Sequence, residues 1–429
     1  MRNGDWKQEF MSRKKAHNLG PVQDGQTVAI IGGGPGGVGC ALTLRQEAHR
    51  LGREVRVVLF EGKRFGEHYN QCAGVLSPPL QDLLREFGLA FPAQLIQRTI
   101  VGYMLYGDHE RILLPEDEGS AHSQAVQRVK FDQFLLEQVR AEGVDVVLGR
   151  VTDVEFHPEE VIVYSWSGTY HACAVVGAFG LSKAMAACFA RRVGYIPPPF
   201  LETLVTKFYP GPQEPIPDLL DNLIHVFLPR LPRVEFGALI PKGDHITVIL
   251  AGWNVSAKEM EAFLNLPLVR QLLPSTPPTD YFKGRFPIGL AGRPFGDRYV
   301  LIGDAAGLVR PFKGKGINSA LFTGRVAAET LLREGISRAA LTQFYRRCHQ
   351  LTGDLWYGRL MRRLAYLVSH QFSLDPVVRL AQHDLRLRQL LFACVSGDET
   401  YRNIVRRWEN LSLVCRLAPA LLWSWRNKR

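Results

Sequence analysis

The chain has 429 residues, 46% of them hydrophobic, with 52 Lys and Arg against 41 Asp and Glu and a formal net charge of +11. This length and apolar content suit a large core divided into two or three folding units. No apolar run reaches the roughly 18 residues of a membrane-spanning helix, and the first 26 residues lack the apolar segment of a secretory signal, so they read as a loose tail. The seven cysteines are scattered without a C-x-x-C pair, which argues against zinc or iron–sulfur ligation and fits a reducing, cytoplasmic compartment.

Taken in chain order, the first strong signal is TVAIIGGGPGGVGCALTL. A β-branched run, Val28 to Ile31, leads into Gly32, Gly34, Gly36 and Gly37, and a helix-like stretch follows over Ala41 to Arg50. In this strand–turn–helix context Gly32 permits a sharp turn, Gly34 lets the backbone approach a pyrophosphate, and Gly37 lets helix and strand pack closely. Pro35 suits a first helical turn, where no amide donor is needed. A second buried-strand pattern, Glu54 to Phe60, ends at Glu61, which lies 24 residues beyond Gly37 and is placed to accept from a ribose hydroxyl. The unit predicts adenine-dinucleotide binding.

Beyond it, Ser77 to Phe87 and Val129 to Ala141 read as helices. Val144 to Leu148, Val151 to Phe156, Val161 to Trp166 and His171 to Val176 read as strands, a pattern that suits a meander crossing over a parallel sheet. Residues 196–285 change character: Pro-rich joints separate short strands at Leu204 to Phe208, Ile224 to Leu228, Val234 to Ile240 and His245 to Ala251. This segment predicts an antiparallel, substrate-binding domain, in which Phe200, Phe208, Tyr209, Phe227, Phe236, Trp253, Phe263, Tyr281, Phe282 and Phe286 supply candidate walls for an apolar slot.

The chain returns to the first sheet at Arg298 to Ile302. VLIGDAAGLVRPFKGKGINSAL then places Asp304 at a strand end and Gly307, Pro311, Gly314 and Gly316 before a helix over Ile317 to Arg333. A carboxylate at Asp304 suits a ribityl hydroxyl. Amides near Gly316, Ile317 and Asn318 face an acceptor that becomes negative on reduction, which points to the N1/C2 carbonyl edge of a flavin. The expected organisation is an N-terminal tail (1–26), a discontinuous Rossmann-like α/β domain that binds FAD (27–195 and 286–340), the β-sheet domain (196–285) and a helical C-terminal region (341–429). From Gly335 to Arg429 there are 16 Arg or Lys against 6 Asp or Glu. No nucleic-acid-binding signature accompanies this basic region. It reads either as a solvated helical face or, with Trp423 and Trp425 near its end, as a contact for an anionic membrane surface, peripheral to the inner face of the membrane.

These residues together resemble the FAD-dependent geranylgeranyl reductase family, within the wider group of p-hydroxybenzoate hydroxylase-like flavoproteins. The likeness spans about residues 27–345 and rests on GGGPGG with Glu61, QCAGVL around Cys72, RVKFDQFL with Arg128, GALIPKGDHITV, and GDAAGLVRPFKGKGIN. It implies that Arg128 reaches an FAD phosphate, that Asp304 holds the ribityl chain, and that the Cys72 loop approaches the isoalloxazine. The chain departs from the family pattern at Phe179, where an Asp is usual, at Lys183, where Ser is common, and at Lys315, where the reductases often carry Glu. An apolar Phe179 cannot replace a carboxylate's hydrogen bonds, so the electron donor stays open between NAD(P)H and ferredoxin.

The implied activity is reduction of carbon–carbon double bonds in a prenyl or other lipophilic substrate, with Cys72, Tyr69 and His68 as candidate catalytic residues. Two alternatives stand beside it: a flavin monooxygenase acting on an aromatic or polyketide-like molecule, and a flavin electron-transfer module without catalysis of its own.

Overall fold

The computed structural model describes residues 19–65, 72–116, 121–310, 316–397 and 399–408. Its centre is a six-stranded sheet in the order Phe295–Gly296, Tyr299–Leu301, Ala174–Gly177, Thr27–Ile31, Arg56–Glu61 and Asp145–Leu148. All neighbours are parallel except the edge pair of Phe295–Gly296 with Tyr299–Leu301. The strands are nearly continuous runs of Val, Ile, Leu and Ala, as expected where both faces are covered. Ile31 is in register with both Phe60 and Gly177. The turns that follow these strands therefore emerge along one edge, where open α/β sheets bind their ligands.

Helices Pro35–Arg50 and Gly316–Arg333 pack against each other beside this edge, and their apolar residues join the largest core cluster. The first glycines are fixed by space. Gly32 has a φ of +112°, and a Cβ there would run into the Ala178 carbonyl; a Cβ on Gly37 would collide with the Gly32 carbonyl.

The expected meander is present as Val151–Phe156, Val161–Ser165 and Gly168–Ala172. The continuous strand expected over His171 to Val176 divides at Cys173. His171 pairs with Ile162 in the meander, whereas Val175 pairs with Ala29 in the parallel sheet. The helix expected from Ser77 begins at Leu80, after Pro78 and Pro79; the residue before a proline is pushed out of helical geometry.

The second sheet has seven strands in the order Phe282–Pro287, Phe200–Phe208, Ile246–Gly252, Val234–Pro241, Leu223–Phe227, Gly102–Tyr106 and Arg111–Pro115. It is not drawn from residues 196–285 alone, because the hairpin at 102–115 completes it. Nor is it wholly antiparallel: Leu223–Phe227 runs parallel to Gly102–Tyr106. One face packs Phe208, Phe227 and Leu250 under helix Ala257–Leu264, whose Phe263 meets Phe227 at 5.6 Å between ring centroids. The opposite face lies beneath helices His349–Gln371, Asp375–His383, Leu385–Ser396 and Tyr401–Trp408. A small sheet of Val75–Leu76, Ser123–Val126 and Ile96–Ile100 joins the two halves.

Among the described residues, no helix is long and apolar enough to cross a membrane. The six described cysteines are all unpaired.

Candidate functional site

The ends of the parallel strands and the lower face of the C-terminal helices enclose one connected cavity of about 1070 Å³. This is slightly above the range of about 300–1,000 Å³ for a single small-molecule site. At one end lie Gly32, Gly34, Pro35, Gly36, Glu61, Lys63, Arg128 and Asp304; Gly316, Ile317 and Asn318 continue the wall. At the other end the lining is mainly aliphatic and includes Leu105, Ile224, Val226, Ile240, Ile249 and Met361.

The glycine turn is shaped for an anion. Gly34 caps helix Pro35–Arg50, no side chain bonds at this cap, and the first turn holds no acidic residue. A Cβ added at Gly34 would meet nothing within 4 Å. The positive helix end and an uncrowded backbone thus face the cavity. Glu61 is buried at the end of its strand and accepts from the amides of Gly33 (3.1 Å) and Lys63 (2.7 Å). That holds the carboxylate beside the turn, with the cavity in front of it.

Arg128 opens helix Arg128–Ala141, and its Nη2 donates to Asp132 at 2.7 Å. Its Nη1 donates to Cys72 Sγ at 3.6 Å, and the Gly74 amide donates to the same sulfur at 3.4 Å. Burial works against the arginine's charge, but Asp132 and Cys72 outweigh it and raise its pKa. Asp304 lies close by: burial raises its carboxyl to about 6, against a smaller opposing pull from Arg128. A Cβ on Gly316 would come 3.3 Å from Asp304 Oδ1, so the start of helix Gly316–Arg333 is adjacent to this carboxylate.

The side chain of Asn318 turns elsewhere. Its Nδ2 donates to the carbonyls of Ser77 (3.1 Å) and Pro78 (3.2 Å), which anchors the segment following the Cys72 loop. The cavity therefore gathers Gly32, Gly34, Gly36, Glu61, Cys72, Arg128, Asp304, Gly316, Ile317 and Asn318 around one space. Gly37 is buried behind the turn. His68, Tyr69 and Gly314 lie outside the described residues, as do Pro311, Lys315, Trp423 and Trp425.

Phe179 lines the cavity and packs against Phe189 (5.2 Å between ring centroids) and Tyr195 (6.2 Å). Core packing accounts for several of the aromatic residues that could have lined an apolar slot. Of the ten aromatic residues named for it, Phe236 and Phe286 line the cavity. Phe208, Phe227 and Phe263 belong to the core on the sheet's other face.

Three charged residues escaped the sequence reasoning. Lys242 is buried beneath the Cys72 loop, where Nζ donates to Gly74 O at 2.7 Å and Val126 O at 3.1 Å. Burial lowers it to about 7. Its signal was a lysine set between Pro241 and Gly243 directly after an apolar strand. Glu235 and Arg362 interrupt the aliphatic end, with Arg362 Nε 3.1 Å from Glu235 Oε2. Nothing local in the sequence joins two residues so far apart.

This arrangement fits FAD. When FAD is bound, the Gly34 turn and helix end would receive the pyrophosphate, Glu61 a ribose, Asp304 the ribityl chain, and the amides from Gly316 the flavin ring. The fold is the one shared by FAD-dependent oxidoreductases.

No protein-family model matches the chain. Among curated proteins, it is 23% identical over 372 residues to a digeranylgeranylglycerophospholipid reductase of Methanococcus vannielii, covering 80% of this chain and 88% of that one. A similarly named reductase of Methanococcus aeolicus is 23% identical over 390 residues, 85% and 91% of the two chains. Among solved structures, a geranylgeranyl bacteriochlorophyll reductase-like protein of Thermoplasma acidophilum superposes with a TM-score of 0.68 at 17% identity, over 93% of this chain and all of that one. A flavin-dependent brominase superposes with a TM-score of 0.67 at 17% identity, over 90% and 99%, which shows how widely the fold is shared. The chain is thus similar in sequence to digeranylgeranylglycerophospholipid reductases and shares its fold with a geranylgeranyl bacteriochlorophyll reductase-like protein and other flavin-dependent enzymes.

Proposed function

We propose that the protein reduces carbon–carbon double bonds of a prenyl or similarly lipophilic substrate. The observation that carries this reading is the continuity of the cavity: the same space that begins at the dinucleotide turn ends among Leu105, Ile224, Val226, Ile249 and Met361. When bound, reduced FAD supplies the hydride. The chain's own residues do the rest. The aliphatic walls exclude water and hold the alkene by its apolar surface, at about 0.8 kcal/mol for each buried methylene. The Cys72 thiol, at the cavity wall, supplies the proton that completes saturation. Arg128 holds that sulfur in place and offers positive charge toward the cofactor's phosphates.

A substrate of this kind resides in a membrane, and we propose that helix His349–Gln371 meets the lipid. Trp356, Leu364 and Leu367 are exposed, at 64%, 51% and 50%, and Leu364 also lines the cavity. The three residues recur at helical spacing, with Arg359 and Arg363 among them to meet anionic headgroups. The electron donor is read by mixing the oxidised protein anaerobically with NADPH, NADH or reduced ferredoxin and following loss of flavin colour. The Phe179 cluster presents no carboxylate for a nicotinamide ribose, so reduced ferredoxin is expected to be fastest.

The reading is tested in a strain lacking the protein, by mass analysis of its lipid and pigment extract. Accumulation of a more unsaturated compound supports it. Loss of a hydroxylated compound, with no change in unsaturation, assigns the protein to the monooxygenases instead.

A further inference from the structure

Lys242 is 2% exposed, and its backbone is pinned on both sides. Its amide donates to the His245 carbonyl at 2.9 Å across the turn that follows strand Val234–Pro241, and its own carbonyl accepts from Arg98 Nε at 2.9 Å. From there the side chain runs beneath the Cys72 loop, where Nζ bridges Gly74 O (2.7 Å) and Val126 O (3.1 Å). Each carbonyl belongs to a segment that also holds the Cys72 sulfur. Gly74 donates its amide to Sγ, and Arg128, two residues after Val126, donates Nη1. The Val126 amide donates to Gly74 O at 2.8 Å, so both segments and the lysine meet at one point. Gly74 has a φ of +65°, and a Cβ there would press on Val126 O and Lys242 Nζ.

Two carbonyls need only neutral donors. An amide side chain would satisfy them without the cost of burying a charge. The charges that act on Lys242 are Cys72, which favours the ammonium, and Lys207 and Arg128, which oppose it. His245, bonded to Asp244 at 2.6 Å, is opposed by Lys242 in turn. Among these groups, the one that rewards a positive charge at Nζ is the sulfur after it has given up its proton.

We propose that Lys242 is a positioning residue for proton delivery: it fixes the Cys72 thiol at the cavity wall, and its charge offsets the thiolate left behind when the sulfur protonates the substrate. The inference rests on the prenyl-reductase reading, with Cys72 as its acid. In that step one alkene carbon gains hydride, the other gains the Cys72 proton, and the sulfur keeps the electron pair of its S–H bond. Lys242 keeps its own proton throughout and acts from behind the wall, while Cys72, Ala73 and Arg128 line the cavity. Burial lowers Lys242 to about 7, so the ammonium is present in mild acid and is lost as pH rises past neutrality.

The test uses full-length, FAD-loaded protein, reduced chemically under anaerobiosis and mixed with geranylgeraniol. The rate of flavin reoxidation is read against alcohol concentration and pH. In the unaltered protein the saturating rate is expected to fall as pH rises from about 6 to about 8. Lys242→Met is expected to lower the saturating rate at about pH 6 by at least about tenfold, to leave the half-saturating concentration unchanged, and to flatten the fall with pH. Lys242→Gln keeps N–H donors for the two carbonyls without the charge. It is expected to be equally slow and flat, and it decides the matter should the Met variant fail to fold. A Gln variant as fast as the unaltered protein overturns the proposal, and so does a saturating rate in the unaltered protein that stays level from about pH 6 to 8. A raised half-saturating concentration with an unchanged saturating rate makes Lys242 a binding residue and overturns it too. Each of these outcomes leaves the reductase reading intact. Unaltered protein that binds the alcohol but is not reoxidised at any pH overturns both.

Discussion

Lys242 Nζ donates to the Gly74 carbonyl at 2.7 Å. The lysine extends from a strand of the seven-stranded sheet, while the glycine follows Cys72 in the loop at the cofactor end. One buried ammonium therefore ties the lipophilic chamber to the loop that carries the candidate proton donor.

This bond leads to a pH prediction. Burial lowers Lys242 to about 7 from an ordinary 10.5, so between those values the unfolded chain holds a proton that the folded chain has released. Folding stability contributed by this group therefore rises from pH 7 toward pH 10. Lys242→Met is expected to flatten that rise in urea unfolding of the apoprotein, and an unchanged slope refutes the assignment.

Asp304 titrates with the opposite sign. Its carboxyl is raised to about 6 from an ordinary 3.8 because it is buried, so the folded chain keeps a proton that the unfolded chain has lost. Stability falls as pH rises from about 4 to 6, and Asp304→Asn is expected to remove this fall in the apoprotein. The same variant is expected to bind FAD about 10- to 100-fold less tightly, from loss of one charge-assisted hydrogen bond of about 1.5–3 kcal/mol. Equilibrium dialysis with FAD measures the second effect separately.

Gly34 and Gly37 separate cofactor binding from folding. Gly34→Asp adds a side chain where nothing lies within 4 Å, so the melting temperature of the apoprotein is expected to hold. A carboxylate aimed at the pyrophosphate site should weaken FAD binding by about 100-fold, or ~2.7 kcal/mol. Gly37→Ala forces a methyl into the Gly32 carbonyl and is expected to lower the melting temperature itself.

The lipid contact is tested by flotation with anionic vesicles at low salt. Replacing Trp356 and Leu367 together by Glu is expected to reduce the bound fraction at least about tenfold, since each apolar side chain contributes about 1.5–3 kcal/mol when buried. Unchanged flotation removes helix His349–Gln371 as the contact and returns attention to the basic segment 409–429.

The cofactor end was legible because its chemistry is local. A strand, a glycine turn and a helix follow one another from Val28 to Arg50, and Asp304 is followed by a second glycine-rich helix entry. The lipophilic end depends on which face of a strand each residue occupies. Thr203 lines the cavity while Leu204 and Phe208 fall in the opposite core, a distinction set by strand parity rather than by apolar character. The hairpin of Gly102–Tyr106 and Arg111–Pro115 was missed because its place in the sheet comes from pairing with Leu223–Phe227, more than a hundred residues away. The roof over the cavity was read as a basic surface region. Its arginines are plain in the sequence, but Met361, Ala365 and Val368 face inward only once helix His349–Gln371 has docked.

The central claim is that one cavity brings reduced flavin to a lipophilic alkene. FAD-loaded protein reduced chemically under strict anaerobiosis, then mixed with geranylgeraniol, should regain the yellow absorbance of oxidised flavin as the alcohol gains two hydrogens. A flavin that stays bleached in the presence of bound alcohol, with the alcohol recovered unchanged, would contradict it.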